Sequence, residues 1–190
     1  HGETFAPGSL DTAVLARTGT LLRADTHGDR ALRRPDGSRT SFARELLEIH
    51  IGVPEGRIIV FNAHFKSKAD DDPGRRFAEA EATAELAAEA AAGYPEAIVI
   101  VGGDLNDTPG SAPIDALEQG GVLLRAGALL TPSNDWTHVF RSERNAIDHL
   151  FLHTAAAGRF NPDDVRVLRD ATGAYGGSDH AAVVAGFLWR

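Results

Sequence analysis

Ala97-Ile98-Val99-Ile100-Val101 runs directly into Gly102-Gly103-Asp104-Leu105-Asn106-Asp107-Thr108-Pro109, and the reading of this stretch decides the fold. The apolar run is short and β-branched, which reads as a buried strand. The two glycines let the backbone turn tightly where the strand stops. Asp104 and Asn106 stand two residues apart at that end. A carboxylate beside a carboxamide can hold a metal ion, a water or a phosphate oxygen. Gly, Asp and Asn are also ordinary turn formers, so the weight of this loop depends on its surroundings.

Upstream, Thr12 to Ala16 reads as a short buried strand, and residues 23–44 read as loop with a turn at Pro35-Asp36-Gly37. That loop carries Arg23, Arg30, Arg33, Arg34, Arg39 and Arg44. Such density suits a nucleic-acid backbone. With Asp25, Asp29 and Asp36 interleaved, it reads more simply as a solvated loop. Glu45 to Ile51 and Arg57 to Phe65 read as strands around a Val53-Pro54-Glu55-Gly56 turn, an antiparallel pair. Asp72 and Pro73 start a helix as N-cap and first helical residue. It runs to about Ala92, with Gly93 as its cap. Phe77, Ala80, Ala84, Ala87, Ala88 and Ala91 share one face suited to close packing on a sheet. The acidic residues of this helix read as a solvated face.

Downstream, Ala112 to Gln119 reads as a short helix, Thr131 to Trp136 as loop, and Ala146 to Leu152 and Ala181 to Trp189 as strands. Many strands with few helices indicate an α/β (α+β) sandwich. The 190 residues suggest a single domain over 1–190 with a sizeable core. No run is long and apolar enough to span a membrane. Without cysteine, disulfides and thiolate metal sites are excluded. The net charge of −8 argues against a uniformly basic nucleic-acid module. It is compatible with handling phosphates through a cation held by carboxylates.

Three further polar clusters sit on or beside apolar strands. In Asn62-Ala63-His64-Phe65-Lys66, strand alternation puts Asn62, His64 and Lys66 on one face. Asp148 lies inside Ile147-Asp148-His149-Leu150-Phe151-Leu152, where a buried carboxylate is costly unless partnered. Gly176-Gly177-Ser178-Asp179-His180 precedes the last apolar strand. Each cluster alone reads as structural. Together, with no cysteine nucleophile and no Gly-x-Ser-x-Gly elbow, they favour metal-assisted phosphoryl chemistry.

Asn62-x-His64-x-Lys66, Gly103-Asp104-x-Asn106-Asp107-Thr108-Pro109, Ile147-Asp148-His149 and Ser178-Asp179-His180 occur in the order of the endonuclease/exonuclease/phosphatase superfamily, which the chain resembles from about Asp11 onward. The resemblance implies a DNase I-like two-sheet sandwich flanked by helices. It implies metal-dependent phosphodiester hydrolysis, with a nucleic acid, DNA or RNA, as substrate. A sphingomyelinase-like or phosphomonoesterase activity is the alternative. By resemblance Asp104 and Asn106 meet the attacking water and the scissile phosphate. His180 contacts the phosphate, Asp148 orients His180, and His64 acts as general acid or phosphate contact. Asn62, Lys66 and Asn106 are placed at the substrate, and Asp179 and Asp104 at the metal. The base is left open between Asp104 and His180. Mg²⁺ is the implied ion, with Mn²⁺ or Ca²⁺ as substitutes. The wording from His64 to Lys68, followed by Asp71-Asp72-Pro73, resembles bacterial secreted or periplasmic members.

Two departures accompany the resemblance. Ala182 stands where the family usually has Pro, and the family's opening strand with its Asn and the Glu that is its principal metal ligand have no counterpart. Residues 1–10 offer only Glu3, and the chain lacks methionine. The expectation is therefore a C-terminal portion lacking the opening strands and first helix. Alone, it would bind metal weakly, or be an inactive fragment that needs a complementing N-terminal polypeptide.

Overall fold

The β-branched runs Ile58-Ile59-Val60 and Ile98-Val99-Ile100-Val101 lie side by side at the centre of a sheet in the computed structural model, which describes residues 12–171 and 174–189. Glu3 lies outside the described residues. In chain order the elements are β1 (Thr20–Thr26), β2 (Leu32–Arg33), β3 (Arg39–Thr40), β4 (Leu47–Val53), β5 (Gly56–His64), α1 (Pro73–Gly93), β6 (Ile98–Asp104), α2 (Ala112–Glu118), β7 (Leu123–Arg125), β8 (His138–Phe140), β9 (Glu143–Asn145), β10 (Asp148–His153), β11 (Phe160–Leu168) and β12 (Ala182–Phe187). Six strands form the main sheet in the order β1-β4-β5-β6-β10-β7. All its neighbours are antiparallel except β5 and β6, which run parallel and are joined through α1. A parallel pair needs such a crossover, and the helix supplies it.

Strand alternation divides the sheet into two working faces. One face presents Ile59, Phe61, Val99, Val101 and Phe151 to Ala80, Leu86, Ala87 and Ala91 of α1 and to Ile114 and Leu117 of α2. The alanines keep the helix close, but the buried face is rotated from the expected one: Phe77, Ala84 and Ala88 are only partly buried, while Ala82, Leu86 and Ala90 join Ala80, Ala87 and Ala91 in the core. On the other face Ile98, Ile100 and Leu152 meet Phe160 of β11 and Phe187 of β12. The antiparallel β11–β12 pair is the second layer, over β6 and β10. The α/β fold with a large sheet and few helices is the one expected.

The N-cap is also as expected, with the Asp72 carboxylate accepting from Arg75 N–H at 2.9 Å and Pro73 first in the helix. The turn at Pro35-Asp36-Gly37 joins β2 to β3, with Gly37 at φ 84°.

Several expectations are corrected. Residues 23–44 are not all loop, because β1 occupies Thr20–Thr26 and pairs with β4. Thr12 to Ala16 is not a strand, and only Ala13 forms a bridge. The helix continues through Gly93, and Tyr94 N–H closes it on Ala90 O. The acidic face of α1 is not wholly solvated either. Glu79 is fully buried and accepts the backbone N–H groups of Ala43 (2.6 Å) and Lys66 (2.8 Å). Burial pushes its carboxyl above the usual range. Arg76, 2% exposed, is buried with it and pairs with Asp71 (2.6 Å) and Asp107 (3.0 Å). Thus α1 grips the loops on both sides of the main-sheet strand ends.

Candidate active site

Register, more than any single residue, builds the site. His64 is opposite Asp104 across the parallel β5–β6 pair, and Asp104 is opposite Asp148 across the antiparallel β6–β10 pair. The three side chains share the face away from the helices, in one row across three strands. Gly103 makes this close approach possible. Its φ is 135°, and a Cβ there would lie 1.9 Å from the carbonyl oxygen of Ala63. His180 arrives from the segment before β12 and completes the row, its Nδ1 hydrogen-bonded to Asp148 Oδ2 at 2.8 Å.

The loop after β6 is held at several points. Leu105 is fully buried, and its N–H bonds to Ile147 O. Asn106 adopts φ 54°, a left-handed conformation that Asn tolerates better than most residues. Its N–H donates to Asp104 Oδ1 (2.9 Å), and its Nδ2 donates to Phe65 O (3.1 Å). Asp107 accepts from Arg76 Nε and from Lys68 Nζ, each at 3.0 Å. It is a structural anchor of the loop rather than a member of the row. Thr137 fixes the other end. Its Oγ1 accepts from the N–H groups of Ile147 (3.1 Å) and Asp148 (3.0 Å), and its carbonyl accepts from Ala181 N–H (2.7 Å).

The electrostatics set three groups of the row apart. Burial, reinforced by the negative charge of Asp148, pushes the Asp104 carboxyl up to about 6. The hydrogen bond to Asp148 raises His180 above the ordinary imidazole value. Burial, helped by the positive charge of Arg44, lowers His64 to about 4, so this imidazole is neutral at pH 7. His64 Nε2 lies 3.5 Å from Asp104 Oδ2.

The structure therefore brings together His64, Asp104, Asp148 and His180, with Asn106 on the adjoining loop. Asn62 and Lys66 lie apart from the row, and Asp179 adjoins it only at His180. Asn62 is one row back and donates to Ala13 O at 2.8 Å. Lys66 lies beyond the end of β5, and its ammonium is bonded to the carbonyls of Ser67 (2.9 Å) and Ala69. Asp179 does not group with Asp104, the pairing expected for the metal. The ligand atoms of Asp104, Asp148 and His180 lie within 4.8 Å of one another, whereas Asp179 forms a second such group with His138 and His180.

Oxygen ligands suit a hard divalent ion, and the burial penalty and the repulsion from Asp148 that together raise Asp104 are both offset when a cation lies between the carboxylates. Asp104 and Asp148 thus fit such an ion on chemical grounds. Two residues with a part here escaped the sequence reading, Arg44 and Thr137. Arg44 was one arginine among many; its guanidinium donates to Phe65 O at 2.8 Å, beside the row. Thr137 lies just past the segment read as loop, and its buried hydroxyl carries no local sequence signal.

The family model described as the Endonuclease/Exonuclease/phosphatase family matches residues 10–180. No curated protein matches the chain. Among solved structures, a truncated TDP2 from Caenorhabditis elegans is similar at 15% identity and TM-score 0.66, over 92% of this chain and 68% of that one. The human Nocturnin catalytic domain, solved with a bound sulfate anion, is similar at 18% identity and TM-score 0.66, over 90% and 60%. D. rerio TDP2, complexed with a single-strand DNA product, is similar at 17% identity and TM-score 0.63, over 88% and 67%. The chain thus spans between about three-fifths and two-thirds of the length of these structures. None of the matches supports a separate complementing polypeptide. Among the described residues no helix is long and apolar enough to cross a membrane.

Proposed function

The chain belongs to the endonuclease/exonuclease/phosphatase family, and on that premise we propose that it hydrolyses phosphodiester bonds in a nucleic acid. The observation that carries this reading is the single row of His64, Asp104, Asp148 and His180 across the sheet. Such hydrolysis needs a positioned nucleophile, neutralised charge on the phosphate and a protonated leaving oxygen.

Each group has a part that follows from its environment. Asp148 holds His180 by Nδ1, leaving Nε2 as the nitrogen that meets the phosphate. Asp104, at the end of β6 beside His64 and Asp148, can hold the attacking water and accept its proton. His64, neutral, is a contact to the phosphoryl group through an N–H rather than a protonated acid. Asn106 gives one of its two amide hydrogens to Phe65 O and keeps the other for a non-bridging oxygen. Asp104 and Asp148 would hold the divalent ion, Mg²⁺ being the natural choice, which supplies charge neutralisation at the phosphate. Asp179 falls to the edge of this arrangement and is not needed for it.

The positive charge of Arg44 reaches both His64 and Asp104 and suits an anionic phosphodiester of either kind. One point favours nucleic acid over a lipid. A solved relative of similar fold was captured with a single-strand DNA product. The test is a Mg²⁺-dependent assay across single-stranded DNA, duplex DNA, RNA and sphingomyelin vesicles, with and without EDTA. The expected result is cleavage of a nucleic acid that EDTA abolishes and that His180→Ala reduces by about 10²–10⁴-fold. Turnover of sphingomyelin alone, or full activity in His180→Ala, overturns the reading.

A further inference from the structure

We propose that His138, Asp179 and His180 form a second, nitrogen-rich cation site, suited to a borderline-soft divalent ion such as Zn²⁺ and separate from the Asp104–Asp148 pair. One ligand atom from each of the three residues lies within 4.8 Å of the other two. Zinc takes imidazole and carboxylate ligands at about 2.0–2.2 Å, which puts tetrahedral neighbours about 3.3 Å apart. Closing the group around an ion therefore takes small side-chain rotations. The exposed Asp179 and the half-buried imidazoles have room for them.

The site is built into the backbone. His138 and His180 form an antiparallel bridge, and their rings lie 4.6 Å apart, tilted by 35°. The adjoining bond from Ala181 N–H to Thr137 O (2.7 Å) continues that bridge. On its other side His138 pairs with Asn145 in the β8–β9 hairpin. Both imidazoles are thus presented from paired backbone rather than from free loops.

The outer shell points the same way. Metal-bound histidines usually give their second ring nitrogen to a carboxylate, which fixes the tautomer and strengthens the ligand. His180 already does this, with Nδ1 bonded to Asp148 Oδ2 at 2.8 Å. A metal on the His138 side would take Nε2. The ligand sets also select different ions: two imidazoles with one carboxylate suit Zn²⁺, Ni²⁺ or Cu²⁺, whereas the carboxylate pair suits Mg²⁺. His180 stands between the two. A soft ion at the second site occupies the nitrogen that the proposed function assigns to the phosphate, so it inhibits hydrolysis. This last consequence rests on that functional reading; the binding does not.

The experiment is Zn²⁺ titration by calorimetry in excess Mg²⁺, on the wild type and on His138→Ala and His138→Gln, with thermal melts to confirm folding. Co²⁺ is used in parallel as an absorbing probe of low-coordinate imidazole ligation. The expected result is a single Zn²⁺ equivalent whose affinity falls at least about tenfold in both variants. The Co²⁺ visible band is lost in both, while Mg²⁺-dependent hydrolysis without Zn²⁺ is unchanged. Zn²⁺ then inhibits the wild type at concentrations that leave the variants active. Unchanged Zn²⁺ affinity in the folded variants overturns the proposal, as does Zn²⁺ binding that is lost in Asp104→Asn but kept without His138. If the protein hydrolyses no phosphodiester yet binds Zn²⁺ through His138, the functional reading fails and the site stands.

Discussion

Glu48 and Asp104 are carboxylates on the same sheet, each beside histidine, and their surroundings drive them in opposite directions. Glu48 lies on β4 and points to the helix-covered face. It accepts from His27 Nε2 at 2.8 Å and from His50 Nε2 at 2.5 Å. Arg57 donates to His50 Nδ1 at 3.0 Å and lies over the Tyr94 ring, which closes the network. Burial alone would push Glu48 up, but the two imidazole hydrogen bonds outweigh it and hold the carboxyl below its usual value. Asp104 lies on the opposite face, where burial, reinforced by the neighbouring Asp148 and not offset by comparable hydrogen bonds from imidazoles, pushes it up to about 6. The same residue types make a satisfied structural network on one face and an unbalanced group of charges on the other. What distinguishes them is which neighbour the register supplies, and unbalanced titratable groups are where chemistry concentrates.

Substituting each carboxylate is the sharpest way to break this contrast. Asp104→Asn is expected to lower turnover by about 10²–10⁴-fold while leaving the thermal midpoint equal or higher, because it removes repulsion with Asp148. Glu48→Ala should do the reverse. It strips an ionised acceptor from two imidazoles at a cost of about 3 kcal/mol or more, seen as a lower urea midpoint, while the folded fraction keeps its activity. A stable, inactive Glu48→Ala would erase the distinction between the two faces.

The pH dependence tests a third histidine between these extremes. His149, on the helix-facing side, donates to Asp107 O at 2.9 Å, and burial lowers it to about 4. The unfolded chain therefore takes up this proton first. The associated stability is complete above about pH 6.5 and is lost as pH falls toward 4, amounting to about 3 kcal/mol at 1.36 kcal/mol per unit. Urea unfolding at pH 7, 5.5 and 4 should show His149→Gln losing less stability than wild type by that amount. Parallel curves would remove His149 from the acid response. The smallest effect is expected at Thr137→Val, which leaves the Ile147 and Asp148 N–H groups without their side-chain acceptor. A loss of about 1–3 kcal/mol is expected, with a larger fall in kcat than in substrate affinity, since Asp148 then holds His180 less firmly.

The elements that were legible are those with strong local signals. The strand into Gly102, the hairpin through Val53 to Gly56 and the helix begun by Asp72-Pro73 all carry their own punctuation and periodicity. The strands that were missed lack both. β7, β8 and β9 have three residues each, too few to show alternation. β11 contains Pro162 and two aspartates, and its ladder with β12 shifts between Asn161 and Arg166. β1, Thr20–Thr26, is an edge strand that mixes two leucines with Arg23 and Asp25 without clear alternation, so its pattern alone reads as loop. The burial of Arg76 and Glu79 was invisible because both are satisfied by groups distant in sequence.

By itself, then, the sequence determined which residues could do chemistry, since Asp104, Asp148, His180, His64 and Asn106 stand out as polar interruptions of apolar strands. Only the tertiary structure decided which of them meet. Register across β5, β6 and β10 aligned His64, Asp104 and Asp148, while the end of β5 left Lys66 to the loop carbonyls. The bridge between His138 and His180 set Asp179 in a group with those two imidazoles rather than with Asp104. Alternation within a strand is a local property of the chain, but pairing between strands is set by long-range packing, and a group's charge state follows from the neighbours that packing provides.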